Sequence, residues 1–447
     1  MKLLLPEKVK EILKQLEANG YEGFAVGGCV RDSVLGRIPQ DWDITTSAMP
    51  EEVKRIFPKT FDTGIEHGTV TVLLEKEGFE VTTYRIDGEY EDSRHPKEVQ
   101  FTSSLVQDLQ RRDFTINAMA YSDRTGLVDE FEGLEDLKRN VIRCVGDPEE
   151  RFGEDALRIL RAVRFSAQLG FRIEKNTETA ISRLAPALQK ISAERIQTEL
   201  VKLMISDHPD WVKKAYETGI TAVILPEFDR LMDQPQNGSH HIYSVGEHTL
   251  VALKNIRADK VLRLTMLLHD MGKPQMSRLD EKGIYHFRGH AACSAQMVKT
   301  IMKRLKFDND TMNKVYRLVL NHSLYPEQSP EGVRRAVCQV GEDLFPEFLQ
   351  VKRADTLAQH PGVQEDKLCY LDELEKIYQS ILERGDCMSL KAMAVTGKDL
   401  IAAGLKPGRE LGVILEMLLD DVLTHPEHNR KEYLLERALN YAASAAK

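Results

Sequence analysis

Asp41 and Asp43 stand two residues apart in QDWDI. On an extended strand such residues face the same side, so their carboxylates can hold divalent cations between them. The same spacing fits a turn followed by a strand with solvent-facing acids, and D-x-D alone is common by chance. The flanking residues sharpen the reading. In FAVGGCVRDSVLG, Gly27 and Gly28 end an apolar stretch where backbone amides can approach a ligand, and Arg31 follows as a charged donor suited to a triphosphate. Phosphates beside paired Mg²⁺ ligands imply phosphoryl transfer, with two cations about 4 Å apart activating an attacking hydroxyl and stabilising a departing pyrophosphate. In RRDF, Arg112 is placed to face phosphate or base and Asp113 to accept from ribose hydroxyls, unless the segment is only a surface charge cluster.

A second set of residues is independent of the first. His248 in VGEHTL, His269 and Asp270 in LLHDMGK, His290 in FRGHAA, His322 in LVLNHS and Asp355 in KRADTLAQ fall on or beside successive helical segments. A single histidine is more often a surface or satisfied core residue than a ligand. The ordered set offers imidazole and carboxylate ligands suited to Mn, Fe, Ni or Mg.

The elements that must position these groups can be read from periodicity. Val9, Ile12, Leu13 and Leu16 share one face of a helix over Pro6–Ala18, with Gly20 just beyond it. Strands are expected over Phe24–Val30, Trp42–Thr45, Thr69–Leu74 and Phe79–Arg85. After about residue 135 long periodic segments rich in Leu, Ala, Glu, Lys and Arg dominate, so the remainder reads as all-helical. In GEDALRILRAVRFSAQLGF, helical spacing puts Ala156, Ile159, Leu160, Val163 and Ala167 on one face and Glu154, Asp155, Arg158, Arg161 and Arg164 on the other. Taken alone, that is an amphipathic helix with solvated charges.

With 447 residues, 42% apolar and 29% charged, the chain is long enough for two to four globular domains. No segment reads as a signal peptide or membrane span, and the six dispersed cysteines suit reduced thiols, so a cytoplasmic location is expected. A net charge of −9 argues against general affinity for polyanions, but residues 151–202 carry ten Lys or Arg against six Asp or Glu. That segment is the expected place for RNA.

The ordered motifs GGCVRDSVLG, DWDITT, EHGTVTV, EVTTYR, RRDFTINAMA and EDALRILRAVRF, over about residues 21–200, resemble those of the class II tRNA nucleotidyltransferases and bacterial poly(A) polymerases. The resemblance implies an α+β fold: a polymerase-β-type nucleotidyltransferase head with a mixed sheet, followed by all-helical neck, HD and body/tail domains. It places the head at 1–138, the neck at 139–230, an HD-like domain at 231–375 and an RNA-binding body at 376–447. It implies Mg²⁺ at Asp41 and Asp43, with Glu80 as third catalytic carboxylate. Glu154, Asp155 and Arg158 would serve the incoming nucleotide, the last two reading its base edge. A carboxylate accepts from the exocyclic amino group of cytosine or adenine, whereas uracil and guanine present a carbonyl there. Arg161 and Arg164 would contact phosphates or hold that pair. The segment 393–423 resembles a distal element of the family, bringing Lys398, Lys406 and Arg409 near RNA phosphates, although spacing alone reads equally as a solvated helix-loop-helix.

The set around HDMGKP, residues 240–360, resembles the metal-dependent HD phosphohydrolases, implying a transition metal or Mg²⁺ there and activity on RNA ends; a degenerate scaffold is the alternative. The first resemblance implies template-independent addition of C and A to tRNA 3′ ends from CTP and ATP, with tRNA as partner and oligomeric state open. Residues 85–101 resemble the flexible loop that enzymes adding only two cytidines lack, which favours full CCA addition. An A-adding tRNA enzyme or a poly(A) polymerase stands as the alternative. Two readings of other classes are a hydrolase with a non-catalytic RNA-binding head and a wholly non-catalytic RNA-binding protein.

Overall fold

The computed structural model describes residues 1–87, 99–238 and 242–445. Most of the loop expected over 85–101 lies outside the described residues; its two ends, Arg85–Asp87 and Val99–Phe101, pair as a short antiparallel ladder. The chain forms two compact units, Met1–Asp229 and Arg230–Lys447.

The first unit opens with helix α1, Glu7–Ala18, whose buried residues are the four expected from periodicity. Five strands follow: β1 (Gly23–Val26), β2 (Ile44–Thr46), β3 (Thr60–Gly64), β4 (Thr69–Leu74) and β5 (Glu77–Thr83). With Ala120–Ser122 and Gly126–Val128 they make a seven-stranded sheet in the order β3-β4-β5-β2-β1, then those two. The sheet is mixed: β2 runs parallel to β5 and antiparallel to β1. Phe24, Val26, Tyr84, Leu109, Ala118, Ala120 and Val145 form a buried cluster on it. Burying its Phe, Val and Leu side chains stabilises by roughly 1.5–3 kcal/mol each before entropy is counted.

Two local expectations are corrected. The strand expected to reach Val30 stops at Val26, because Gly27 turns the backbone at φ 81° and Gly28–Val34 (α2) is helical. That conformation is open to glycine at little cost. The helix expected through GEDALRIL is two helices, Pro148–Glu154 and Leu157–Leu169, because Asp155 is extended (φ −137°, ψ 102°). Its side chain accepts from the Leu157 amide, satisfying a donor at the new helix start.

After the sheet the described residues form mainly helices, with two short ladders, Val141–Ile142 with Arg172–Ile173 and Arg278–Leu279 with Tyr285–His286. The second unit is built from helices that include Val245–Lys254, Lys260–Leu268, His290–Arg304, Asn309–Asn321, Pro330–Val340, Phe345–Leu357 and Pro361–Arg384. One apolar cluster joins the last three through Val337, Phe345, Phe348, Leu374 and Ile381, and another holds the C-terminal helices around Leu400, Leu418 and Leu434. All six cysteines are unpaired. No helix among the described residues is long and apolar enough to cross a membrane.

Candidate active site and metal centre

Strand register brings the head carboxylates together. Ile44 of β2 is in line with Val81 of the parallel strand β5, so Asp43 and Glu80, each one residue earlier, come alongside. Asp41 and Asp43 therefore sit on the irregular backbone leading into β2 rather than on the strand itself, and both are exposed. The Asp43 carboxyl is held above its usual range, first by partial withdrawal from water and, against Arg112, by the charge of Asp41. Glu80 is raised by partial withdrawal from water and by Asp43 and Asp41. Asp43 and Glu80, whose ionisation is hindered by their neighbours, form with Asp41 a donor set that a divalent cation relieves.

Asp41 and Asp43 line a cavity of about 770 Å³ together with Gly27, Gly28, Arg31 and Arg112. Gly27 has a second reason to be glycine: a Cβ there would lie 2.9 Å from Arg112 Nη1. Arg31 donates to Asn117 Oδ1 at 2.7 Å, and Asn117 donates to Asp113 at 3.1 Å. Both Asp113 oxygens are engaged within the fold, Oδ2 by Arg161 and Oδ1 by the Phe114 amide and Asn117. Burial opposes its charge, but Arg161 and Asn117 outweigh that and bring its pKa down to about 2. Arg164 is buried, paired with Glu199 at 2.7 Å, and its guanidinium lies 3.5 Å from the Phe165 ring centroid. Arg31 and Arg161 approach the same ring at 5.1 and 5.3 Å. The cavity thus has carboxylates at one side and guanidiniums at another, the charge pattern a metal-bound nucleotide requires.

Glu154, Asp155 and Arg158 are not among the residues lining this cavity. Arg158 donates to Glu154 Oε2 at 2.6 Å and to the Arg111 carbonyl at 3.0 Å; Asp155 accepts from Arg195 at 2.7 Å. Sequence reading also missed Asp108. It is fully buried, accepts from Thr45 and Arg111, and lies 3.6 Å from Arg112, so it fixes both arginines of RRDF. The D-x-x-R-R spacing over 108–112, one helical turn, was the available signal.

In the second unit, His248, His269, Asp270, His290, His322 and Asp355 all converge. The ligand atoms of His248, His269 and Asp270 lie within 4.8 Å of one another, as do those of Asp270, His290 and His322. Asp270 divides its oxygens between the two groups: Oδ2 is 3.2 Å from His269, and Oδ1 is 3.4 Å from His290. Each histidine turns Nδ1 to a backbone carbonyl, of Ala358, Met266, Phe287 and Val319 respectively. A carbonyl can only accept, so Nδ1 carries a proton; a neutral ring, the form a metal ligand takes, then presents a lone pair at Nε2. His290 and His322 then face each other lone pair to lone pair at 3.1 Å, and His248 faces the Asp355 carboxylate at 3.0 Å. Such contacts repel unless a proton or a metal cation lies between them. His269 Nε2 and Asp270 Oδ1 are buried without a hydrogen-bond partner, while Asp270 Oδ2 is paired with Lys273 Nζ at 2.7 Å. Burial, more than the neighbouring Asp270 opposes, brings His290 down to about 4, keeping its ring neutral as a ligand must be. Six nitrogen and oxygen donors with orphaned buried atoms fit bound metal. Lys398, Lys406 and Arg409 are exposed in the C-terminal region.

The paired carboxylates, the mixed sheet and the arginine-lined cavity define a nucleotidyltransferase head. The family described as "Poly A polymerase head domain" matches residues 23–143. "Probable RNA and SrmB- binding site of polymerase A" matches 170–232, and "tRNA nucleotidyltransferase domain 2 putative" matches 280–438. The chain is 36% identical over 429 residues to the CCA-adding enzyme of Levilactobacillus brevis, covering 96% of each protein. It is 35% identical over 444 residues to that of Lactiplantibacillus plantarum, covering 98% of this chain and 97% of the other. A crystal structure of the Bacillus stearothermophilus CCA-adding enzyme in complex with CTP superposes with a TM-score of 0.72 at 28% identity, over 99% of this chain and 100% of that one. The chain belongs to the CCA-adding enzyme family, a family of metal-dependent nucleotidyltransferases.

Proposed function

We propose that this protein completes tRNA 3′ ends, adding C and A from CTP and ATP without a nucleic-acid template, and that Asp41, Asp43 and Glu80 are its catalytic carboxylates. The observation that carries this is the β2–β5 register, which sets Glu80 beside Asp43, itself on the wall of a nucleotide-sized cavity. Those carboxylates would hold Mg²⁺, which activates the RNA 3′ hydroxyl and offsets charge on the departing pyrophosphate. The Gly27–Gly28 backbone and Arg31 receive the triphosphate. Arg112 and Arg161, held by Asp108 and Asp113, supply positive charge that is already in place when the phosphates arrive. Arg164 and Phe165 close the wall behind it. Glu154, Asp155 and Arg158 serve the incoming nucleotide, the last two reading its base once a local rearrangement turns them from their present partners toward the cavity. Lys398, Lys406 and Arg409 contact the RNA backbone. Nucleotide addition is to be assayed separately on tRNA lacking CCA, CA or only the final A. Growth of all three to full CCA supports the reading; extension of the last substrate alone identifies an A-adding enzyme, and unlimited A addition a poly(A) polymerase.

The histidine–aspartate centre supports a second activity, metal-dependent phosphoester hydrolysis at RNA ends. His248, His269, Asp270 and Asp355 would hold one cation, and His290 and His322, sharing Asp270, another; such cations lower the pKa of water and screen phosphate charge. Wild-type protein supplied in turn with Mg²⁺, Mn²⁺, Ni²⁺ and Co²⁺ should hydrolyse terminal or 2′,3′-cyclic phosphates. The His269→Ala, Asp270→Ala protein should lose this activity and still add nucleotides. Absence of hydrolysis with every metal makes the centre a scaffold.

A further inference from the structure

The turn that joins the Arg409–Thr424 helix to the Lys431–Ala445 helix reads HPEHN, and neither proposed activity uses it. Pro426–His428 is a single 3₁₀ turn with His425 as its N-cap. Side chains three apart eclipse in such a turn, and the proline fixes the backbone at its first position. His425 and His428 accordingly lie close together, with ring centroids 4.8 Å apart. One ligand atom from each of His425, Glu427 and His428 falls within 4.8 Å of the other two. His425 Nδ1 is already 3.5 Å from Glu427 Oε1. A tetrahedral cation with bonds of about 2.0–2.1 Å holds its ligands roughly 3.3 Å apart, so this pair stands near coordination spacing.

His428 is the fixed member of the group. The Tyr433 ring stacks on it with centroids 4.2 Å apart, and its Nδ1 lies 3.1 Å from Asp421 Oδ2. In the neutral ring Nδ1–H donates to that carboxylate and Nε2 keeps a lone pair, the support that metal-bound imidazoles commonly have. The His425 and Glu427 side chains, 53% and 68% exposed, can swing onto an ion held there. Asn429 anchors the end of the turn: its side chain accepts from the Ala394 amide at 2.7 Å and donates to the Ala392 carbonyl at 3.1 Å.

We propose that His425, Glu427 and His428 bind one Zn²⁺-like cation, separate from the ions of the head and of the His/Asp centre, which locks the turn between the last two helices. Two imidazoles and one carboxylate suit a borderline transition cation better than Mg²⁺, which takes oxygen ligands. Asp421 is a positioning residue that orients the His428 ring from behind.

Equilibrium dialysis of the full chain against ZnCl₂ tests this. Wild type should retain one more Zn²⁺ per chain than His425→Ala or Glu427→Gln. The other centres are intact in all three proteins, so their ions cancel in the difference, and both side chains are exposed, so the variants keep the fold. Asp421→Asn should retain the ion with affinity weakened about tenfold or more. Zn²⁺ should also slow amide exchange over residues 425–430 in wild type and leave it unchanged in His425→Ala. Equal Zn²⁺ retention by wild type and both ligand variants, or exchange over the turn that does not respond to Zn²⁺, overturns the proposal. Displacement of the additional ion by an excess of MgCl₂ overturns the choice of metal class.

Discussion

Arg161 reaches Asp113 with two donors, Nε at 2.8 Å and Nη2 at 2.6 Å from the same carboxylate oxygen, while the carboxylate's other oxygen accepts from the Phe114 amide. One acid thus ties the start of the Thr115–Asn117 turn to the Leu157–Leu169 helix and holds a cavity-lining guanidinium in place. Asp113→Asn should destabilise the first unit by about 1–3 kcal/mol, since Arg161 loses its shorter ion pair and keeps only Glu199 at 3.7 Å. Urea denaturation of the variant against wild type measures it.

The same pair sets an acid limit. Asp113 goes from an ordinary value of 3.8 to about 2 in the fold, a depressed carboxylate. Its stabilisation, roughly 2 kcal/mol, is therefore complete above about pH 4 and is lost as pH falls toward 2. Denaturation midpoints of wild type should fall over that interval more steeply than those of Asp113→Asn.

Replacing Asp43 by Asn should lower the rate of nucleotide addition by at least about 10³-fold, because metal charge acts on the transition state. Affinity for tRNA, held mainly through its backbone, should change little in a filter-binding titration. A variant that retains near-normal turnover would remove Asp43 from the catalytic set.

Gly27→Ala combines a strained φ of 81° with a methyl 2.9 Å from Arg112 Nη1. The backbone term costs about 1–3 kcal/mol, read as a fall in thermal midpoint. The displaced guanidinium should raise KM for CTP and ATP alike. Gly28→Ala, whose added carbon meets nothing nearer than Arg31 Nη2 at 3.8 Å, should be milder in both measurements.

Asp155 and Arg158 offer a sharper test of base choice. If they turn to the base, Arg158→Ala should relax discrimination against UTP and GTP by about 1–3 kcal/mol, measured as misincorporation ratios. Asp155→Ala should add a separate stability loss of about 1 kcal/mol, because its side chain caps the Leu157 amide. Equal rate loss for all four nucleotides would leave the two residues a purely structural role.

What could be read from the sequence divides by range of interaction. Asp41 and Asp43, or His269 and Asp270, declare themselves because their chemistry lies within a few residues. The Asp113–Arg161 pair spans 48 positions, and nothing in local spacing connects such partners; His248 and Asp355, 107 apart, were joined only by their place in the ordered ligand set. The break at Asp155 was invisible for another reason: apolar periodicity runs on through it, while the capping side chain that ends one helix and starts the next looks like one more surface acid. Lys352 was hidden in the same way, beside Arg353 in a charged helix, although the fold buries it.

Asp270, which gives one oxygen to each of two ligand groups, makes those groups thermodynamically inseparable. Whatever a first cation does to the affinity for a second, the second must do in equal measure to the first. Shared use of the carboxylate charge makes that coupling unfavourable, whereas relief of the lone-pair repulsion between His290 and His322 lies in one group alone. The two cations should therefore load in separate steps of unequal affinity, and the protein should pass through a singly loaded form at limiting metal.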